Sequence, residues 1–127
     1  MINYKEVRIG NLVKYEDRIF EIHTISEEFP TLNTSEFGIG VVGWKNLEPI
    51  PLTEEWPIKF GFIFYKKKYF IGVNFGRYSV HKVGDIFDHW YFNHEHDKTK
   101  GLTSSIRFVH QLQNMFQCHT GEELQLK

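Results

Sequence analysis

Near the start of the chain, apolar and polar residues alternate with the period of a strand. In RIFEIHTI (18–25), Ile19, Glu21, His23 and Ile25 fall on one side and Phe20, Ile22 and Thr24 on the other. IGNLVKY (9–15) precedes it, and the two runs are separated only by Glu16-Asp17, which predicts a tight hairpin. SEEFPTLNTSEF (26–37) is polar and carries Pro30, so a loop is expected there. Its length for a connection marks it as a contact surface. GIGVVGW (38–44) predicts a short strand whose glycines allow a bend or a close backbone approach.

The pattern then changes. Pro49 and Pro51 favour extended backbone at Glu48 and Ile50, a stiff connector. Thr53 is placed as the N-cap of a helix over 53–60, with Glu54 and Glu55 in its first turn and Pro57 keeping it short. FIFYKKKYFIGVNFGRYSVHKVGDIFDHWYFN predicts hairpins turning at Lys66–Lys68, Phe75–Arg77 and Val83–Asp85, and a last strand runs through Ile106. Near 107–118 the period lengthens to that of a helix. Phe108, Leu112, Met115, Phe116 and His119 share its apolar face, and Gly121 stands where a left-handed C-terminal cap is expected. Leu124 and Leu126 alternate, as a short docking tail would.

These elements predict a β-rich α+β fold over 1–127 as a single domain. The expected form is a bent antiparallel sheet or small partly open barrel, SH3-like at its first hairpin, with one short helix and one C-terminal helix. At 127 residues the chain suits one self-supporting core. An aromatic content of 17% supplies that core with large pieces and leaves rings to spare for a binding surface. The formal net charge of −1 removes the usual electrostatic warrant for duplex DNA, because each phosphate contact needs a cation. Cys118 is the single cysteine, which excludes an internal disulfide and fits a reducing compartment. MINYKEVRIGN has no apolar signal segment, and FGFIFY (60–65) is far too short to span a bilayer, so a cytoplasmic, membrane-independent protein is expected.

Candidate chemistry is sparse. HWYFNHEHD (89–97) is dense in histidine, and alternation would set His94 and His96 on one strand face, where two imidazoles can chelate a divalent ion. A third ligand is not nominated, and the spacing matches neither the zinc-deaminase nor the His-Glu-x-x-His pattern, so the stretch is expected to be a strand end, Trp90 and Phe92 in the core. GIGVVG (38–43) has the glycine spacing of a dinucleotide loop but no βαβ unit around it. Cys118 lies late in its helix with no base positioned to activate it. No cofactor and no catalytic residue is implied.

Two binding surfaces remain. His110, Gln113, Asn114 and Gln117 are expected on the outward face of the C-terminal helix, polar yet uncharged, where amides can bond a partner without desolvating a charge. Lys66, Lys67, Lys68 and Arg77, beside Tyr69 and Tyr78, form the alternative. Cations interleaved with rings suit a nucleotide or single-stranded nucleic acid.

RIGNLV (8–13), FPTLNT (29–34), EPIPLTEEW (48–56) with the KFGF that follows, VHQLQN (109–114) and TGEEL (120–124) resemble a group of short uncharacterised proteins encoded by phages, prophages and genomes of Bacteroidota. The resemblance is weak over 63–105 and carries no catalytic assignment. It implies a phage-linked accessory protein of the bacterial host cytosol, whose partner would be a host protein, sometimes a component of a defence system. A non-enzymatic protein-binding module is therefore the leading expectation. The nucleotide binder and a metal-dependent enzyme at His94/His96 stand behind it.

Overall fold

A computed structural model describes the chain apart from residues 1, 3, 26–30, 35–37, 42, 74–75, 84–88, 95–104 and 127. Its strands are β1 (Leu12–Tyr15), β2 (Arg18–Thr24), β3 (Thr31–Thr34), β4 (Gly38–Val41), β5 (Ile63–Tyr65), β6 (Lys68–Val73), β7 (Gly76–Val83), β8 (His89–His94) and β9 (Ser105–Ile106). Helix α1 covers Glu55–Lys59 and α2 covers Val109–Thr120. The fold is α+β and β-rich. The strands divide between two open antiparallel sheets, one in the order β1-β2-β3-β4 and one in the order β5-β6-β7-β8-β9. Two compact units follow from this: residues 1–51 with 108–114, and residues 52–107 with 115–127.

In the first unit, β1 and β2 pair from Leu12↔Glu21 to Tyr15↔Arg18. Their two-residue turn holds Glu16 at φ 49° and Asp17 at φ 63°. Left-handed backbone at both positions gives the turn whose twist matches the flanking strands. Thr31–Thr34 pairs with both β2 and β4, so this part of the 26–37 segment is a sheet strand and not a loop. Its β-branched threonines suit a ladder, and the Thr24 and Thr31 hydroxyls meet at 2.6 Å across it. The flanking 26–30 and 35–37 lie outside the described residues. Ile2, Val7, Val13, Ile22 and Leu47 form the core, edged by Tyr15, Phe20 and Trp44.

In the second unit, α1 begins one residue later than the sequence predicts. The N-cap position is Glu54, and Thr53 makes no side-chain cap; its carbonyl instead accepts from the Trp56 N–H at 3.1 Å. The Thr53 hydroxyl is turned to the Glu55 carboxylate, 3.5 Å away. The helix ends at Phe60, and Gly61 takes φ 93°, which releases the chain into β5. The β5–β6 hairpin turns through Lys66 (φ 49°) and Lys67 (φ 67°). Buried Trp56, Phe60, Phe62, Tyr69, Tyr78, Val80, Trp90, Phe92 and Phe116 make an unusually aromatic core. The rings meet at the spacings and tilts that aromatic quadrupoles favour, such as Phe92–Phe116 at 6.5 Å and 89°. Gly121, at φ 76°, ends α2 by donating to the Gln117 carbonyl at 2.8 Å, as its position in the sequence predicts.

Candidate functional site

Trp90 and Phe92 are fully buried on β8, facing Lys82 and Val80 across the β7–β8 ladder. His94 ends the strand opposite Tyr78, while His96 lies outside the described residues. Among the described residues no three His, Cys, Asp or Glu side chains gather closely enough to hold a metal ion. GIGV of the 38–43 stretch is an antiparallel strand beside β3, a setting that cannot cradle a dinucleotide. Cys118 is an exposed free thiol.

The helix face expected to meet a partner is largely internal. His110 and Gln113 keep only 1% and 2% of their surface exposed, and Asn114 and Gln117 are half-buried. The buried stripe of α2 is Val109, Leu112, Gln113 and Phe116, so an amide occupies a position that the apolar pattern leaves outside. Gln113 belongs there because it completes the backbone of the first hairpin. Its Oε1 accepts from the Leu12 N–H at 2.8 Å, and its Nε2 donates to the Gly10 carbonyl at 3.2 Å. Asn114 Nδ2 donates to the Glu6 carbonyl and its Oδ1 accepts from Asn11 Nδ2, both at 2.8 Å. Arg8 reaches the Gln113 carbonyl at 3.3 Å. The low desolvation cost of amides is thus used within the chain, to seat the segment 6–12 on the helix.

His110 completes this cluster. Its ring stacks on Phe108 (5.9 Å between centroids, 6° between planes), and its Nε2 lies 3.8 Å from a Glu6 carboxylate oxygen, too far for a hydrogen bond. Burial pushes the imidazole below its ordinary value of 6.5, and the Glu6 charge opposes this only in part. The folded chain therefore binds this proton less readily than the unfolded chain. His110 thus costs nothing above the unfolded value and destabilises the fold progressively as pH falls through 6.5 toward the lowered folded value. Denaturant midpoints taken from pH 8 to pH 5 are expected to fall less for His110→Leu than for the parent chain. Parallel curves would remove His110 as a source of the acid sensitivity.

The alternative nucleotide surface also changes. Tyr69 and Tyr78 are 8% and 7% exposed, on the sheet face that carries Phe92 and Trp90, so neither offers a ring for base stacking. Phe116 packs edge-on against Tyr78 at 6.1 Å. Burial first, and the Glu54 charge second, push the Tyr69 phenol up. Lys66, Lys67 and Arg77 are exposed and Lys68 is half-buried.

What the sequence pattern did not single out is β5. Ile63, Phe64 and Tyr65 are 71%, 55% and 56% exposed, three large apolar residues in a row on an edge strand. The register Ile63↔Phe70 and Tyr65↔Lys68 sets Ile63, Tyr65 and Phe70 on the face opposite Tyr69. Gly72 and Arg77 pair on that same face, where the missing side chain at Gly72 opens the floor. The Arg77 guanidinium lies 4.3 Å above the Phe70 ring, and Lys66 Nζ lies 5.3 Å above the Tyr65 ring. Ile63, Tyr65, Phe70, Gly72 and Arg77 are among the residues that line an apolar concavity of about 480 Å³, open to solvent. The only signal in the sequence is the apolar run FGFIFY, which a core strand would explain equally well.

Compared with protein-family models, with curated proteins and with solved structures, the chain matches none. No helix among the described residues is long and apolar enough to cross a membrane.

Proposed function

We propose that this chain is a non-enzymatic protein-binding module whose contact surface is the exposed face of the β5–β6 hairpin. The observation that carries the reading is the exposure of Ile63, Phe64 and Tyr65 around a concavity, where the other large rings among the described residues are mostly packed away. Contiguous apolar surface of this kind marks an interaction site on soluble proteins. The resemblance to phage-encoded accessory proteins supports a host protein as partner and the bacterial cytosol as the place of action. The helix residues His110 and Gln113 have no part in the contact, because they are buried against their own chain. A nucleotide or single-strand ligand is less well supported, since two of the six residues that suggested it are core tyrosines.

Ile63→Asp/Tyr65→Asp alters only exposed side chains and leaves the buried rings in place. The parent chain and this variant, immobilised side by side, are expected to differ in capture from Bacteroidota host lysate. At least one protein should be enriched on the parent and lost from the variant, with circular dichroism showing both folded. Identical capture profiles would overturn the reading.

A further inference from the structure

The chemistry around the concavity narrows the class of partner, granted that this face is the binding surface. We infer that it receives an extended acidic segment of a partner protein, which adds to the β5 edge and sets an apolar side chain over Gly72.

Three features carry this. The first is the edge itself. β5 ends the five-stranded sheet, so one of its backbone sides has no strand beside it among the described residues. The hairpin has a two-residue turn with Tyr65↔Lys68 as its closing pair, which makes Phe64↔Tyr69 the pair whose backbone groups point away from one another. The Phe64 N–H and C=O therefore face outward, and no described residue bonds them. An incoming strand would pair with these groups, the usual route by which an extended peptide gains main-chain bonds at a sheet edge.

The second feature is the floor. A Cβ added to Gly72 would meet nothing within 4 Å. The space above Gly72 is walled by Phe70 and Ile63 and is wide enough for an aliphatic or aromatic side chain.

The third is the charge at the rim, which is of one sign. Arg77, Lys66 and Lys67 are exposed, and none makes an ion pair with a described acid. Of the described acids of the unit, Glu55 is paired away from the rim, 3.7 Å from Lys59 Nζ. A guanidinium held over the Phe70 ring, with no ion pair to a described acid, can present its fork of donors to a carboxylate. A second copy of this chain would bring the same cations against themselves, whereas an acidic strand complements them.

The test is selection from a phage-displayed library of random dodecapeptides against the full chain, followed by fluorescence anisotropy on the selected peptides. Enrichment of Asp and Glu interleaved with large apolar residues is expected. Gly72→Leu puts a side chain on the floor, with a Cβ that meets nothing within 4 Å, and should weaken binding at least tenfold, with its thermal midpoint unchanged or raised. Arg77→Glu should weaken it by a similar factor and shift selection toward basic peptides. Enrichment of basic or uncharged peptides, no enrichment at all, or affinity that survives Gly72→Leu would each overturn the inference. So would a dimer in sedimentation equilibrium that Gly72→Leu abolishes, since that result assigns the face to a second copy. Lysate capture that depends on Ile63 and Tyr65, in the absence of acidic enrichment, would sink this inference and leave the binding-module reading standing; loss of both would sink both.

Discussion

Replacing Gln113 by leucine is expected to lower the stability of the fold by about 2–5 kcal/mol, although leucine is the more hydrophobic residue at a buried helix position. Gln113 retains 2% of its surface and bonds the Leu12 N–H and the Gly10 carbonyl. Leucine leaves the buried Leu12 N–H and the half-buried Gly10 carbonyl without this partner, and a buried orphan costs about 1–3 kcal/mol. Gln113→Glu separates the donor role from the acceptor role. It keeps an acceptor for Leu12 but sets a carboxylate oxygen against the Gly10 carbonyl, so its cost should shrink as the pH is lowered and the side chain becomes protonated. Gln117→Ala, one turn further along the same helix, is the control. Gln117 is half-buried, and the bond that caps the helix uses its backbone carbonyl, which alanine retains. A change within about 0.5 kcal/mol is expected there. Urea unfolding followed by circular dichroism measures all three. Equal small effects at 113 and 117 would mean that the amide face is surface after all.

The amide cluster also shows where the sequence is legible. Periodicity locates α2 to within two residues at either end, and Gly121 marks its end, because a 3.6-residue repeat and a left-handed cap are local properties. The face of the helix is another matter. Apolar residues at Phe108, Met115 and His119 spacing point to a stripe rotated from the one that is buried, since patterning treats every glutamine as outside. Only the unpaired backbone around Gly10 and Leu12, contributed by a segment a hundred residues away, gives Gln113 a reason to be inside. The same holds for the rings. Alternation along β6 and β7 is legible, but which of Tyr69 and Phe70 faces the core is settled by tertiary packing, Trp90 against Tyr69 and Phe116 against Tyr78. Exposure of Ile63 to Tyr65 is the least legible feature of all. Hydrophobicity predicts burial in one direction only, and an apolar edge strand looks like a core strand until its neighbours are placed.

The second large effect belongs to Trp90, the middle of the aromatic core. Its side chain is fully buried, its ring lies 5.8 Å from that of Tyr69, and its Nε1 donates to the Leu52 carbonyl at 3.0 Å. Trp90→Ala removes the ring and the donor together, with an expected cost of about 3–5 kcal/mol from the cavity alone. The Leu52 carbonyl, left without its donor, adds about 1–3 kcal/mol more. Against a typical total of about 5–15 kcal/mol, such a loss brings the protein close to its unfolding threshold. Trp90→Phe resolves the two contributions, because it keeps an aromatic ring for Tyr69 and gives up the bond to Leu52 along with part of the volume. It should fall between the parent chain and Trp90→Ala, with most of its cost set by the carbonyl. Thermal midpoints ordered parent, Phe, Ala in descending steps would establish the first half of HWYFNHEHD as framework and not chemistry. A Trp90→Ala protein as stable as the parent would instead detach this strand from the core.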